Sequence, residues 1–481
     1  MKRLTFAAAT WLAAVAPLEA QPIRISDSDI LEAYQYMLAR WLVLRQEAQD
    51  LKDGFKWNEI IHREPTGLNG PYPMPDIVIS EAWIAVDETS CTIIDLPEFK
   101  DRYYTVQIMN GWGQVTANLN ERNYKKHPYG RFALCLKDAK IVLPKDPPPP
   151  RQPRAQVVAQ QPAPKGAQTQ TQKVAQAQPQ KGAQPQRAAA PPRPAVRPPI
   201  LRVDLPNKKS RLIVRIALAG ETAEAVALQK QITLRATGTP KVDKAVVEFN
   251  FTGKKLPGVE GFEKTEEILA SEDDINSGTV VVRDLARNIA KTITDPSERA
   301  RIDDVIQKRA IPKFMADLPN LGREMYGWRM SNNVGNFRTD YQMRAAVNYG
   351  NLWANSNRET VSYAMQGIDG SRIFTQTFPK DALPDSKTRY LWEVIMIDDA
   401  EHRIIKNPQN KHMFNDQSDL KSNDDGSLTL AFSPKPPAGV PESNWLPSPQ
   451  GRRYTLLYRF YGPNSDVVGG TYYPPPLVRG K

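Results

Sequence analysis

Short runs of β-branched and aromatic residues, separated by Pro, Asn, Asp and Gly, recur along most of the chain. Runs of this kind are typical of antiparallel strands that bury one face. They predict a mainly β protein built from antiparallel sandwiches. The runs are Ile77–Ile79, Trp83–Val86, Thr92–Ile94, Tyr103–Ile108, Phe132–Leu134, Ile141–Leu143, Leu212–Ile216, Leu391–Ile397, Leu428–Leu430 and Arg453–Tyr461.

A helical pattern precedes the first strands. Apolar residues recur three and four positions apart between Leu31 and Arg45, after a Ser26 or Ser28 that could cap the first turn. The spacing predicts an amphipathic helix that packs by one face. A second helix is predicted over Glu221–Gln231.

A longer helical region is predicted from about residue 261 to residue 319. Within it, the segment Asp295–Glu298 supplies a capping Asp, a Pro in the first turn and a Glu placed to cap back. We expect that helix to end at Ala310, because Ile311–Pro312 follows and the residue before a proline disfavours helical geometry.

The composition changes abruptly between Lys145 and Ile200. These 56 residues contain 14 Pro and 12 Gln and no aromatic residue. Such a segment cannot bury enough apolar surface to offset its ordering entropy, so residues 145–205 are predicted to be a disordered, partly polyproline-like linker. The remaining predicted units are a β-sandwich formed by residues 21–144 and 206–255, a helical middle region over 256–330 and a C-terminal sandwich over 331–481.

The formal net charge of +11 belongs mostly to this linker. Residues 145–200 hold nine basic residues and one acid, whereas the folded parts carry about +2 once a signal peptide is removed. Because it has no aromatic side chains on which bases could stack, nucleic acid is not an expected partner. The linker could instead contact anionic envelope polymers or membrane surfaces electrostatically.

The first 20 residues have the features of a cleavable secretory signal. Met1–Arg3 is basic, Leu4–Pro17 is apolar, and Ala20 precedes Gln21 at the predicted cleavage site. The apolar run is short for a membrane span, which takes about 20 residues, and no later stretch reaches that length. The mature protein is therefore expected to be soluble and exported, either periplasmic or secreted, with no transmembrane segment.

Cys91 and Cys135 are the only cysteines of the chain. In an oxidising compartment the two could form a disulfide. The alternative is a pair of buried thiols that pack as small apolar side chains.

The C-terminal third contains a series of short motifs, and in this order they resemble the bacterial domain of unknown function 1214. The segment from Asn333 to Gly350 resembles the first helix of the same domain. The motifs are Asp369-Gly370-Ser371, Phe378-Pro379, Leu383-Pro384, Trp392 with Met396, Lys406-Asn407-Pro408, Asp424-Asp425-Gly426-Ser427-Leu428, Ser443-Asn444-Trp445-Leu446-Pro447 and Tyr473-Pro474-Pro475-Pro476.

The upstream segments Ser80–Trp83, Arg102–Tyr104, Gln107 and Gly130–Phe132 resemble the usual partner, domain of unknown function 1254. Where that domain usually has Asn-x-Asp-Thr, this chain has Pro75-Asp76-Ile77-Val78 and keeps only the acid. The tandem resemblance implies an immunoglobulin-like sandwich, a small helical middle domain and a C-terminal jelly-roll-like sandwich. It also implies exported bacterial proteins, most of which have no assigned activity.

Sequence motifs for metal, nucleotide or serine chemistry are missing. The histidines, His62, His127, His402 and His412, form none of the spacings typical of metal ligands and are expected at the surface or in turns, although the last two could converge with Asp398 or Asp399. The chain has no nucleophile elbow and no phosphate-binding glycine motif. We therefore predict no cofactor and no metal.

Carboxylates offer one route to an activity, because glycoside hydrolysis needs only two of them a few ångströms apart. The candidate acids are Glu393, Asp340 and Asp398. Alternation along the strand predicts that Glu393 faces solvent. Asp340 is expected to pair with Arg344, four residues further along a helix.

Aromatic residues beside amides offer the other route, since such rings can stack on sugars. For each ring the alternative role is core packing. Trp112 and Trp445 are in loop-like settings, where binding residues concentrate. The candidate binding residues are Trp445, Asn444, Trp112, Asn110, Trp83 and Tyr103.

The sequence identifies no reaction and leaves the oligomeric state open. The hypothesis it favours is an exported, cofactor-free envelope protein that binds a carbohydrate or another small polar molecule, or acts as an accessory module. The alternatives are a hydrolase that uses carboxylates in a cleft between the two sandwiches, and a protein that associates with the envelope through its basic linker.

Overall fold

The computed structural model describes residues 24–143, 199–242, 251 and 255–480. The predicted signal peptide, its cleavage site at Ala20 and Gln21, and most of the predicted linker lie outside these ranges. The described chain forms two β-sandwiches and a set of packed helices. The predicted fold class, mainly β with two sandwiches and a helical middle region, is confirmed.

The helices and strands are numbered in chain order. The helices are α1 (Asp27–Lys52), α2 (Thr222–Gln229), α3 (Thr265–Ser271), α4 (Val280–Thr292), α5 (Pro296–Val305), α6 (Ile311–Asp317), α7 (Tyr341–Asn351) and α8 (Ser465–Gly469). The strands are β1 (Ile61–His62), β2 (Ile77–Ala85), β3 (Thr92–Leu96), β4 (Tyr104–Met109), β5 (Val115–Leu119), β6 (Gly130–Leu136), β7 (Leu201–Leu205), β8 (Lys209–Ala217), β9 (Thr233–Ala236), β10 (Arg323–Met325), β11 (Trp328–Met330), β12 (Thr360–Asp369), β13 (Phe374–Phe378), β14 (Thr388–Asp398), β15 (Met413–Asn415), β16 (Leu428–Ser433), β17 (Trp445–Pro447), β18 (Arg453–Pro463) and β19 (Val478–Arg479).

The N-terminal sandwich is built by residues from both sides of the segment 144–198. Its sheets have the orders β1-β2-β8-β4-β5 and β7-β6-β3-β9. Strand β8 pairs antiparallel with both β2 and β4, so it lies in the middle of its sheet. Strand β7 runs parallel to β6 and buries Val203 and Leu205 in the core. The predicted C-terminal end of the linker, residue 205, is therefore wrong, because Leu201–Leu205 is a strand of the sandwich.

The C-terminal sandwich has a six-stranded sheet, β10-β11-β12-β18-β14-β15, and a four-stranded sheet, β17-β16-β13-β19. Alternate residues of β14, including Trp392 and Val394, enter the core together with Tyr458 and Phe460 of β18. The alternation predicted for these two long strands is therefore the one that builds the sandwich.

Helix α1 lies at the centre of the helical core. Ser26 Oγ accepts a hydrogen bond from the backbone N–H of Asp29 at 3.2 Å and so caps its first turn. Every residue from Tyr36 to Leu44 is buried, because the helix packs against α4, α5 and α7 together. The prediction that α1 packs by one face is wrong, and α1 belongs to the helical core rather than to the sandwich.

The predicted start of α5 is confirmed, but its predicted end is wrong. Asp295 Oδ1 accepts hydrogen bonds from the backbone N–H groups of Ser297 at 2.8 Å and Glu298 at 3.0 Å. Beyond α5 the chain continues through a π-helical turn, Ile306–Ala310, directly into α6. A proline ring crowds the helical turn before it, and the wider turn provides room for Pro312.

Two further predictions concern segments outside the sheets and helices above. The predicted strand Ile141–Leu143 does not form, since Asp138 has a left-handed φ of 68° that turns the chain away after β6. Within the described ranges, no helix combines the length and the apolar character needed to cross a bilayer.

A disulfide joins Cys91, just before β3, to Cys135 of β6, at a sequence separation of 44 residues. We expect the double variant Cys91→Ala with Cys135→Ala to unfold with a free energy about 2–4 kcal/mol lower, because the bond restricts the unfolded chain. Urea unfolding measures this difference. An unchanged unfolding midpoint in the double variant would contradict the predicted loss of stability. Wild-type protein in reductant serves as a second comparison.

Candidate functional site

A cavity of about 350 Å³ lies between the turn that joins β7 to β8 and the C-terminal end of α3. It therefore lies where the N-terminal sandwich meets the helical core. Its wall combines three lysines, two acids, an amide, a hydroxyl and four apolar or aliphatic residues. The lining residues are Leu136, Pro206, Asn207, Lys208, Lys209, Lys241, Val242, Ala270, Ser271, Glu272 and Asp273.

Glu272 is the buried acid of this cavity. Its Oε1 accepts hydrogen bonds from the backbone N–H of Gly111 at 2.9 Å and from Asn207 Nδ2 at 2.7 Å. Burial raises the pKa of the Glu272 carboxyl to about 7, although the nearby Arg40 opposes this shift. A carboxyl that titrates near neutral pH can both accept and donate hydrogen bonds to a bound molecule.

Arg40, which is buried on α1, holds the floor of the cavity in place. Its Nη1 donates to the carbonyl oxygen of Gly111 at 2.8 Å, and its Nη2 donates to Ser271 Oγ at 3.1 Å. The chain at residue 111 must therefore approach both Arg40 and Glu272 closely. A Cβ atom at Gly111 would lie 2.6 Å from Arg40 Nη1 and 2.9 Å from Glu272 Cδ, so this position has no room for a side chain.

The lysines of the cavity differ in their partners. Lys209 Nζ donates to Glu47 Oε1 at 2.8 Å, and Lys208 pairs with Glu88 at 2.8 Å. The backbone N–H of Lys241 donates to Asp87 Oδ2 at 2.8 Å, while its side chain is exposed and makes no ion pair with another described residue. Lys241 is therefore the cavity lysine whose ammonium group is available to a bound anion.

Asn110 and Trp112 support this site from behind and do not line it. Trp112 is fully buried, and its Nε1 donates to the carbonyl oxygen of Glu272 at 3.2 Å. Asn110 Oδ1 accepts from the backbone N–H groups of Trp112 and Gln114, both at 3.0 Å. The loop does not present this candidate binding pair to solvent, because α1, α3 and α7 cover it.

The other predicted binding residues are buried in structural contacts. Trp445 Nε1 donates to the carbonyl oxygen of Ser433 at 2.9 Å, and Asn444 Nδ2 donates to that of Thr429 at 2.9 Å. These bonds hold β17 against β16, so neither side chain is presented to a ligand.

Trp83 and Tyr103 lie on the outer side of the sheet that contains β2 and β4, where other parts of the chain cover them. Trp83 Nε1 donates to Asp50 Oδ2 at 2.9 Å. The Tyr103 ring lies 5.5 Å from that of Tyr390 and 5.3 Å from that of Tyr461. Both rings therefore serve in core packing, the role that was the alternative to ligand binding.

The three candidate acids are not brought together. Asp340 Oδ1 caps α7 by accepting from the backbone N–H of Met343 at 3.0 Å, and Arg344 pairs with Asp274 at 2.8 Å, so the predicted Asp340–Arg344 pair is wrong. Asp398 Oδ1 accepts from the backbone N–H groups of Ala400 and Glu401, both at 2.9 Å, in a hairpin turn. Both acids are used to shape the backbone.

Glu393 is fully buried, so the prediction that it faces solvent is wrong. Alternation places it on the outer face of β14 correctly, but the segment before β2 of the N-terminal sandwich covers that face. Glu393 Oε1 accepts from Arg459 Nη1 at 2.7 Å and from the Tyr461 hydroxyl at 3.2 Å.

The histidines are dispersed. His412 is buried, contrary to expectation, with Asn407 Nδ2 3.1 Å from its Nδ1, whereas His402 lies in the hairpin turn after β14 with a φ of 55°. Across the part of the chain that the structure describes, no group of three or more His, Cys, Asp or Glu side chains could hold a metal ion.

Comparison with known proteins identifies two domains. The family model for the protein of unknown function DUF1254 matches residues 57–167, and the one for DUF1214 matches residues 358–465. The chain carries a DUF1254 domain followed by a DUF1214 domain. The first match contains Pro73 and the second contains Arg459, so the two matched segments meet where Arg459 Nη1 donates to the carbonyl oxygen of Pro73 at 2.6 Å. No curated protein matches the chain.

One solved structure supports the fold. The crystal structure of the VPA0106 protein from Vibrio parahaemolyticus aligns over 95% of this chain and 100% of its own length, with 18% identity and a TM-score of 0.59. An uncharacterised protein from Burkholderia cenocepacia aligns over 95% of this chain and 93% of its own, with 10% identity and a TM-score of 0.40, which is too low to establish a shared fold.

Sequence reasoning missed the cavity residues Asn207, Lys241 and Glu272. They come from three segments of the chain, and Asn207 and Glu272 are 65 residues apart. A signal was present in the Glu272-Asp273-Asp274 run directly after a helix and in the polar Asn207-Lys208-Lys209 turn between two strands. Neither run indicates by itself that it meets the other.

We expect Gly111→Ala to lower the free energy of unfolding by about 1–3 kcal/mol, because the added methyl group collides with Arg40 and Glu272. Gly350→Ala on α7 is the matched control, since a Cβ there meets nothing within 4 Å and Ala favours a helix. Chemical unfolding compares the two. Equal stability of the two variants would contradict the close approach at residue 111.

Proposed function

We propose that the protein is an exported binding protein that holds a small polar molecule in the cavity between its N-terminal sandwich and its helical core. The observation that supports this most directly is the convergence of Asn207, Glu272 and Lys241 on one cavity of about 350 Å³. A small number of polar groups placed in a partly apolar cavity is the usual composition of a small-molecule site.

The cavity favours certain ligand chemistry. Its volume of about 350 Å³ is at the lower end of the range for small-molecule sites. None of its described lining residues is aromatic, so a sugar stacked on a ring, as the sequence suggested, is not the favoured mode. A compact molecule with hydroxyl groups for Asn207 and Glu272 and a negative charge for Lys241, such as a sugar acid or hydroxy acid, fits the wall better.

Two sequence features support the part of the proposal that concerns export. The secretory features of residues 1–20 and the tandem family resemblance both favour a protein that acts outside the cytoplasm. The basic linker could add electrostatic attachment to anionic envelope polymers, and this stays a prediction because residues 144–198 lie outside the described ranges.

A binding screen of the mature protein against sugar acids, neutral sugars and small hydroxy acids tests the proposal. We expect at least one anionic class to raise the unfolding temperature, and calorimetry to show binding about tenfold weaker in Asn207→Ala, because one hydrogen bond to the ligand is lost. Lys241→Ala should weaken binding of the anion more than that of its neutral analogue.

Lys230→Ala, an exposed lysine at the end of α2, is the control and should bind like the wild type. The proposal fails if no class of ligand shifts the unfolding temperature at millimolar concentration. It also fails if Asn207→Ala and Lys241→Ala, both folded, bind a discovered ligand with unchanged affinity.

A further inference from the structure

One arginine bonds to both sandwiches where they meet. Arg459 of β18 donates from Nη1 to Glu393 Oε1 at 2.7 Å and to the carbonyl oxygen of Pro73 at 2.6 Å. Its Nη2 donates to the carbonyl oxygen of Tyr72 at 3.2 Å. The segment before β2 is thus attached to the outer face of the C-terminal sheet through a buried guanidinium.

A second carboxyl, from the other domain, lies in the same contact. Asp76 Oδ2 accepts from Asn415 Nδ2 at 3.0 Å, and Asn415 is the β15 residue paired with Glu393. Both carboxyls thus adjoin Asn415, and the negative charge of Asp76 contributes to raising the pKa of Glu393. Two ionised carboxylates cannot hydrogen-bond to each other, because neither carries a donor.

One carboxylate oxygen of Glu393 lacks a hydrogen-bond donor within the described ranges. Its Oε2 is buried, and no group among the described residues donates to it. A buried acceptor without a donor costs free energy comparable to a lost hydrogen bond. A proton shared between the two carboxyls supplies the missing donor.

The charges around Asp76 and Glu393 also favour a state in which the two carboxyls hold one proton between them. Arg459 is the cation in contact with Glu393, while Asp76 and, beyond it, Asp416, directly after β15, add negative charge. The other titratable groups facing Glu393 are the hydroxyl of Tyr461 and, behind it, that of Tyr103. Burial raises the pKa of Glu393 to about 7 and also raises the pKa of Asp76.

We propose that Asp76 and Glu393 share one proton across the contact between the two sandwiches, and that the contact loosens when this proton is lost. The native protein then binds more protons than the unfolded chain between the ordinary pKa of a glutamate and about 7. The contribution of the contact to stability is complete below that window and is lost as the pH rises through it.

The backbone of Tyr72 reports on this contact. Its N–H donates to the carbonyl oxygen of His402 in the other sandwich at 2.8 Å. The two rings stack with their centres 4.6 Å apart. Hydrogen exchange at the Tyr72 amide, corrected for the intrinsic effect of pH, therefore measures how often the two sandwiches separate at this point.

The experiment follows Tyr72 protection from pH 5.5 to 8.5 in the full mature protein and in Glu393→Gln. We expect protection in the wild type to fall with a slope approaching tenfold per pH unit between pH 5.5 and about 7, and to level off above pH 7, where the native state has also lost the proton. Glu393→Gln should give a flat profile, because its amide keeps an acceptor for Arg459 and supplies a donor that does not titrate. The His402 side chain is the same in both proteins, so it does not contribute to the difference between their profiles.

Glu401→Gln, an exposed acid in the hairpin beside His402, is the matched control and should keep the wild-type profile. If Glu393→Gln does not fold, Asp76→Asn replaces it with the same expected result. A wild-type profile without pH dependence, or a variant of the pair that keeps the wild-type slope, overturns the proposal. Neither outcome bears on ligand binding at the cavity, which lies in a different contact.

Discussion

Buried arginines, each of which needs partners from distant segments, determine how the parts of this chain pack. Removing a guanidinium from water is costly unless hydrogen bonds and charges replace the water. Arg40 joins α1 to the Gly111 loop and to α3, Arg344 joins α7 to Asp274, and Arg459 joins the two sandwiches. Arg211 and Arg215 perform the same role on the outer face of the sheet that contains β8. Separating any of these contacts would leave a buried cation without its partner, which is strongly destabilising.

The two buried acids that titrate near neutral pH lie at these arginine contacts. Glu272 lies near Arg40 but also near Glu47, and Glu393 faces Arg459 but also Asp76. At both positions burial disfavours the ionised form, and a second acid nearby adds to the effect. Perturbed groups of this kind are concentrated at functional sites, and also occur in structural networks. The first lines a cavity and the second lies in a closed contact, which is why we assign ligand binding to one and domain attachment to the other.

The sequence predicted the parts of the fold that local pattern controls. The strand runs, the cap of α5 at Asp295 and the order of the two domains are examples. Alternation along β14 correctly separated Trp392 in the core from Glu393 on the opposite face. It could not show that another domain covers that face, because a periodic pattern records which residues avoid the core and not what lies against them. For the same reason α1 was predicted to bury one face, although helices pack against one part of its surface and the N-terminal sandwich against another.

The candidate site was harder to predict because its residues are distant along the chain. The aromatic motifs at Trp112 and Trp445 looked like binding loops, yet both serve packing. The most direct test of the account is a crystal structure of the protein purified without denaturation from the cells that produce it. The account predicts non-protein electron density in the cavity, within hydrogen-bonding distance of Asn207 and Glu272. A cavity closed by protein side chains, or one that holds only ordered water, would contradict it.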